Sequence, residues 1–181
     1  MEDRSAAGVK KFWVKEIFNV IHRREEEEWR KELESKSKLR KYKNFKSELK
    51  LESYLKLEED KLGRHWWTAL RTGTNRLRIE TGRWKGESVN ERYCTACMSG
   101  EVEDERHFMV ECKAYENLRK ELFQEIEIVS RGKWCMEGLS PESQFLLLMG
   151  GSRDRYQDNL QNRIFSFVRQ AFKRRKYLCK L

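Results

Sequence analysis

The sequence predicts a mostly α protein, made of one or more small helical domains with an inserted Cys-Cys-His-Cys zinc knuckle. Three observations carry that prediction. The 181 residues hold one proline and ten glycines, far fewer turn residues than the strands of a β-sandwich require. Apolar residues return at three- and four-residue intervals along most of the chain. Finally, Cys94, Cys97, His107 and Cys112 stand in the spacing C-x2-C-x9-H-x4-C.

Each segment supports this reading in turn. Between Lys10 and Glu34, the residues Trp13, Ile17, Val20, Ile21, Trp29 and Leu33 recur at helical spacing, and Glu26 with Arg30 and Glu27 with Lys31 are i,i+4 pairs. This is one long amphipathic helix. The Glu25–Glu28 run is its solvated face, because four successive residues point around a helix and do not converge. Leu39, Tyr42, Phe45 and Leu49 predict a second helix. A third starts near Asp60 and carries Leu62, Trp66, Trp67 and Leu70. From Thr72 to Gly86, three glycines punctuate a basic stretch, read as a short helical turn and loops. Tyr115, Leu118, Leu122, Phe123 and Ile126 mark the next helix. Ser140-Pro141-Glu142 is a helix start, with the serine as N-cap and proline at the first helical position, and Gly150 and Gly151 stop that helix. The last helix spans about residues 156–177, with a wide apolar stripe from Leu160 to Phe172. The domain organisation that follows is 1–60 for the amino-terminal amphipathic helices, 61–130 for the basic stretch, knuckle and following helix, and 131–181 for carboxy-terminal helices on the same core.

Composition narrows the function classes. The chain is 22.0 kDa with a formal charge of +9, a pI near 9.3 and a mean hydropathy of −0.91, yet 38 % hydrophobic and 12 % aromatic residues suffice for a core. No apolar run approaches the roughly 20 residues that span a bilayer, and Met1–Ala7 lack the apolar stretch of a signal peptide. The expectation is a nuclear or cytoplasmic protein, not secreted and with no membrane partner. Five cysteines without a secretory signal argue for reduced thiols or a metal site over a disulfide framework. Charge is also segregated. Residues 93–130 hold nine acidic and four basic residues, whereas 61–92 hold eight basic and three acidic, and 131–181 eleven basic and four acidic.

The cysteine and histidine cluster is the most specific chemical signal. Two cysteines three apart can grip one ion from a tight turn, and His107 and Cys112 can complete a tetrahedron from the end of a loop and the start of a helix. Thiolates with one imidazole select one Zn2+ over Mg2+ or Ca2+, and four protein ligands leave no position for a catalytic water, so the site is structural. Cys135 and Cys179 have no partner at ligand spacing and read as small hydrophobes. His22 and His65 read as packing or surface residues. Trp66 and Trp67 read as core.

The cluster and its approach resemble the C-terminal region of reverse transcriptases from non-LTR (LINE-type) retrotransposons of invertebrates. The matching residues are Ser37-Lys-Leu-Arg-Lys-Tyr-Lys-Asn-Phe-Lys46, Leu70-Arg-Thr-Gly73, Leu77-Arg-Ile-Glu-Thr-Gly-Arg-Trp84, Cys94-x2-Cys97, Glu103-Asp-Glu-Arg-His-Phe-Met-Val-Glu-Cys112, Tyr115 and Leu118-Arg119. The resemblance covers residues 37–125. It implies a zinc knuckle that helps to grip the element's nucleic acid. The polymerase and endonuclease of such proteins are missing here: no Tyr/Phe-Ala-Asp-Asp motif occurs. The chain therefore resembles the detached tail of such a protein, as a fragment, a 5′-truncated copy or a host gene derived from one, and no enzymatic activity is expected.

The knuckle segment is itself acidic, so phosphate attraction must come from its flanks. Arg71, Arg76, Arg78, Arg83 and Lys85, beside Trp84 and Tyr93, can supply phosphate contacts and stacking surfaces for RNA or single-stranded DNA. A second basic run, Arg169, Lys173, Arg174, Arg175 and Lys176, can touch backbone phosphate or serve as a nuclear-import signal. The alternative reading is a zinc-stabilised structural or protein-interaction module whose N-terminal helix docks on a protein partner or self-associates. No paired carboxylates, nucleophile elbow or phosphate-cradling glycine motif supports an enzyme.

Overall fold

A computed structural model describes residues 6–150 and 155–179. Gly151, expected to help stop a helix, and residues 1–5 lie outside the described residues. The fold is mostly α. Six α-helices are joined by short helical turns, and the extended pairing among the described residues is a single antiparallel bridge, Tyr93 with Val102.

Helix α1, Ala6–Ser35, is as long as the periodicity requires. Its final turns meet the described part of the chain, where Leu33 is buried and Arg30 donates to the Ser47 carbonyl at 3.3 Å. The predicted second helix does not form. Residues 37–39 and 42–44 make separate 3-10 turns, because this segment wraps around one buried cation. Tyr42 and Phe45 place their rings 5.4 and 5.5 Å from the Arg71 guanidinium, and Tyr54 and Trp67 close the other sides at 5.3 and 4.7 Å. Glu52 neutralises Arg71 at 2.8 Å. A single 3-10 turn that carries Tyr42 at its start and Phe45 at its end leaves the same three-residue spacing in sequence as a helix does.

Helix α2, Lys61–Thr72, starts where Asp60 accepts a hydrogen bond from the Gly63 N–H at 2.8 Å, an N-cap bond. It ends at Gly73, whose left-handed φ of +62° favours glycine. Helix α3, Arg78–Trp84, is the short turn of the basic stretch. Helix α4 is Glu116–Val129, and α5, Pro141–Met149, is capped by Ser140 accepting from Ser143 N–H at 3.2 Å. Helix α6, Arg155–Leu178, is the central strut on which α2 and α4 pack.

The α2–α6 crossing is close because Gly63 has no side chain. A Cβ there would come within 2.8 Å of Phe165 Cβ and nearer still to the Phe165 carbonyl. Trp66 stacks on Phe172 with ring centres 4.7 Å apart, and Trp67 meets Phe165 edge-on at 5.6 Å. Trp67 is fully buried and donates its indole N–H to the Leu148 carbonyl at 3.0 Å, tying α2 to α5. Gly63→Ala should therefore cost about 1–3 kcal/mol by overpacking. Gly138→Ala, whose Cβ meets nothing nearer than 3.9 Å, should leave the urea midpoint nearly unchanged.

Candidate metal centre

The four predicted ligands converge. One donor atom from each of Cys94, Cys97, His107 and Cys112 lies within 4.8 Å of the other three, and the group can hold a metal ion. Cys94 and Cys97 sit on a tight turn pinched by the Tyr93–Val102 bridge, with Cys94 N–H donating to the Glu101 carbonyl at 2.8 Å and Glu103 N–H to that of Arg92 at 2.9 Å. Cys94 Sγ lies 3.8 Å from Cys112 Sγ, and Cys97 Sγ lies 3.3 Å from His107 Nε2.

His107 and Cys112 come from a π-helical turn, His107–Glu111, rather than from an α-helix start. At 100° per residue an α-helix would set positions five apart about 140° from each other. The wider turn, closed by Cys112 N–H on the His107 carbonyl at 2.7 Å, brings them to one side. Such widened turns recur at functional sites. Asp104 caps the turn by accepting from His107 N–H at 2.8 Å.

The ligand set shapes its own titration. The Cys112 thiol hydrogen-bonds Cys94 and, against the opposing effect of burial, holds Cys94 down to about 3, while the same contact pushes Cys112 up. Burial would lower the His107 pKa, but hydrogen bonds to the Cys94 and Cys97 sulfurs outweigh it and push it up to about 9. Cys94 is therefore held as the thiolate before an ion arrives, while Cys112 keeps its proton. Ion uptake must displace the remaining protons, so affinity falls as pH falls.

Residues around the ligands complete the site, and sequence reading did not single them out. His107 Nδ1 is buried with no hydrogen-bond partner, and the Glu111 carboxylate is 3.9 Å away, beyond hydrogen-bond distance but on the side where an orienting carboxylate would stand. Ser99 Oγ is 3.2 Å from Cys97 Sγ. The buried Arg119 donates to the Cys112 carbonyl at 2.9 Å and so sets a cation beside that ligand. Glu111 and Arg119 both lie in the resembling segment, but only three-dimensional placement marks them.

The basic residues divide into two groups. Arg76, Arg83, Lys85 and the 64 % exposed Trp84 reach the surface, although Arg83 pairs with the buried Glu80 at 2.7 Å. Arg78 is half-buried and paired with Glu87. Arg71 is not a phosphate contact, because it is fully buried in the aromatic box described above. Arg175 is not one either. It is 4 % exposed and grips Glu103 with two hydrogen bonds of 2.7 and 2.8 Å. Lys173, Arg174 and Lys176 remain exposed, while Arg169 pairs with Asp60 at 2.8 Å. Cys135 is exposed and so does not pack as a small hydrophobe, whereas Cys179 lies 3.2 Å from Thr95.

Glu103 joins the centre to the fold. Its carboxylate also accepts Arg78 N–H at 2.8 Å and stands 3.9 Å from Cys94 Sγ, and its carbonyl accepts Ile79 N–H at 3.0 Å. No family model, curated protein or solved structure matches the chain.

Arg175→Gln leaves a buried carboxylate without its cation and should cost about 3–5 kcal/mol in urea unfolding, whereas Arg174→Gln, on the exposed neighbour, should stay within about 0.5 kcal/mol. Cys97→Ser or His107→Ala should abolish amide-exchange protection across residues 87–115 while amides of the α2–α6 contact stay protected. Retained protection across 87–115 would show that the ligand cluster does not hold this segment.

Proposed function

We propose that the chain is a non-catalytic, zinc-binding module that binds RNA or single-stranded DNA, in the manner of the tail of a LINE-type reverse transcriptase without its polymerase. Zinc is the ion that three thiolates and one imidazole in a closed set of four select, with Zn–S distances of about 2.3 Å. A ligand set that needs reduced thiols supports a nuclear or cytoplasmic location.

The observation that carries the reading is the surface of α3 and the adjoining knuckle. Trp84, 64 % exposed, is flanked in sequence by the exposed Arg83 and Lys85, while the exposed Arg76 precedes α3 and the 50 % exposed Tyr93 opens the ligand turn. A large aromatic ring left in water beside cations is costly as core and useful as a stacking platform for unpaired bases. This surface is also rigid. Arg92 donates to the Ile79 and Glu87 carbonyls at 2.7 Å each, and Ile79 N–H donates to Glu103, so α3 is fastened to the metal-held loop. Zinc would then act at one remove, by fixing the platform.

Arg76→Ala with Lys85→Ala should lower the salt dependence of single-stranded RNA binding by about 1.4 in the log–log slope, two phosphate contacts at about 0.7 each. Trp84→Ala should cost about 1–3 kcal/mol of affinity with little change in slope. An unchanged slope and affinity in both variants would refute the surface. The second reading, a zinc-stabilised structural or protein-interaction module, is favoured by the acidity of residues 93–130, nine acidic against four basic. Absence of salt-sensitive binding by a zinc-loaded chain would select it.

A further inference from the structure

We propose that residues 9–24 of α1 lie along the surface of an anionic membrane, as an interfacial helix separate from the nucleic-acid surface. Trp13, Ile17, Val20 and Ile21 share one face at helical spacing with Val9 and Val14. Phe12 and Phe18 stand at the edges of that face. From Phe12 to Ile21 these side chains are between 51 % and 66 % exposed. No other part of the described chain covers them. The opposite face is Lys11, Lys15, Asn19 and His22, spaced by four, four and three. Lys10 and Arg24, both exposed, bound the apolar stretch at its two ends.

Charge decides the occupant. Lys10, Lys11, Lys15, Arg23 and Arg24 accompany the apolar face, against the single acid Glu16. A second copy of this helix would be repelled in either orientation: parallel pairing sets Lys10 on Lys10, and antiparallel pairing about the apolar stretch sets Lys10 on Arg24. Shifting the antiparallel register to match the basic half with Glu25–Glu28 would lay the apolar face against charged residues. Nucleic acid could meet the cations and stack on Phe12, Trp13 or Phe18, but would leave the exposed aliphatic side chains of Val9, Val14, Ile17, Val20 and Ile21 in water. An anionic lipid surface meets both, with phosphate at the level of the lysine heads and acyl chains beneath them.

The charge pattern also sets the limit of the contact. Four consecutive glutamates begin at Glu25, immediately after Arg24, so the attractive segment is 16 residues, about 24 Å of helix. No helix among the described residues is long and apolar enough to cross a membrane. That observation, which underlies the expectation of no membrane partner, does not bear on a helix lying in the interface.

The test is flotation of the full chain with phosphatidylcholine vesicles and with vesicles that also contain phosphatidylserine. The expected result is association with the anionic vesicles alone. Lys11→Gln with Lys15→Gln should weaken it about tenfold or more, and Ile17→Glu should abolish it. Zinc content and single-stranded RNA affinity should be unchanged in Ile17→Glu, which separates this proposal from the nucleic-acid reading. No association with the anionic vesicles would overturn it, as would association that survives Ile17→Glu. A dimer in sedimentation that Ile17→Glu dissolves, without vesicle association, would overturn it in favour of a second copy.

Discussion

The turn from His107 to Cys112 serves the ligand cluster and the hydrophobic core at once, and the rest of the structure depends on that double role. Its two ends present His107 and Cys112 to Cys94 and Cys97. The residues between them, Phe108 and Met109, are fully buried, and Val110 nearly so. Phe108 lies 4.9 Å from Tyr115 and 4.7 Å from Phe172, which stacks on Trp66. A continuous line of rings therefore joins the ligand turn to α6 and α2. An ion at the cluster would fix the position of Phe108, and the packing of Phe108 in turn holds the imidazole in place. Structural metal sites draw folding free energy from this kind of coupling.

A few of the chain's 39 cations are used internally. Arg71 sits in an aromatic box on Glu52, Arg175 grips Glu103, and Arg40 bridges the buried carboxylates of Glu80 and Glu105 at 2.7 and 2.8 Å. Asn75 adds a 3.2 Å bond to Glu105. Pairs of this kind add little net stability over apolar packing, but losing one partner is expensive. They fix which segments meet: residues near 40 against α3, and the end of α6 against the knuckle. Exposed cations remain over much of the described surface, among them Arg76, Arg83 and Lys85 at α3, Lys10, Lys11, Lys15, Arg23 and Arg24 on α1, and Lys173, Arg174 and Lys176 on α6. The proposed zinc module and the proposed lipid contact are thus carried by different residues.

Local chemistry was legible in the sequence. Asp60 and Ser140-Pro141 mark helix starts that form at those positions, and the ligand spacing identified four residues that meet in space. What was not legible depended on distant partners. Arg71 and Arg175 look like their exposed neighbours until Glu52 and Glu103 are brought to them from 19 and 72 positions away. The spacing of Tyr42 and Phe45 is equally consistent with a helix and with a 3-10 turn laid against a cation, and only the cation decides between them. The π turn is invisible to periodicity because its five residues are too few to define a period. For α1 the helix was legible from its period, but the exposure of its apolar face was not, since burial depends on what packs against it.

The most direct test of the account is X-ray absorption at the zinc edge on protein purified without chelators, with the metal content of the same sample measured. One zinc per chain, bound by three sulfurs at about 2.3 Å and one nitrogen at about 2.0–2.1 Å, is the predicted result. A folded chain without zinc, or zinc bound mainly by oxygen, would contradict it.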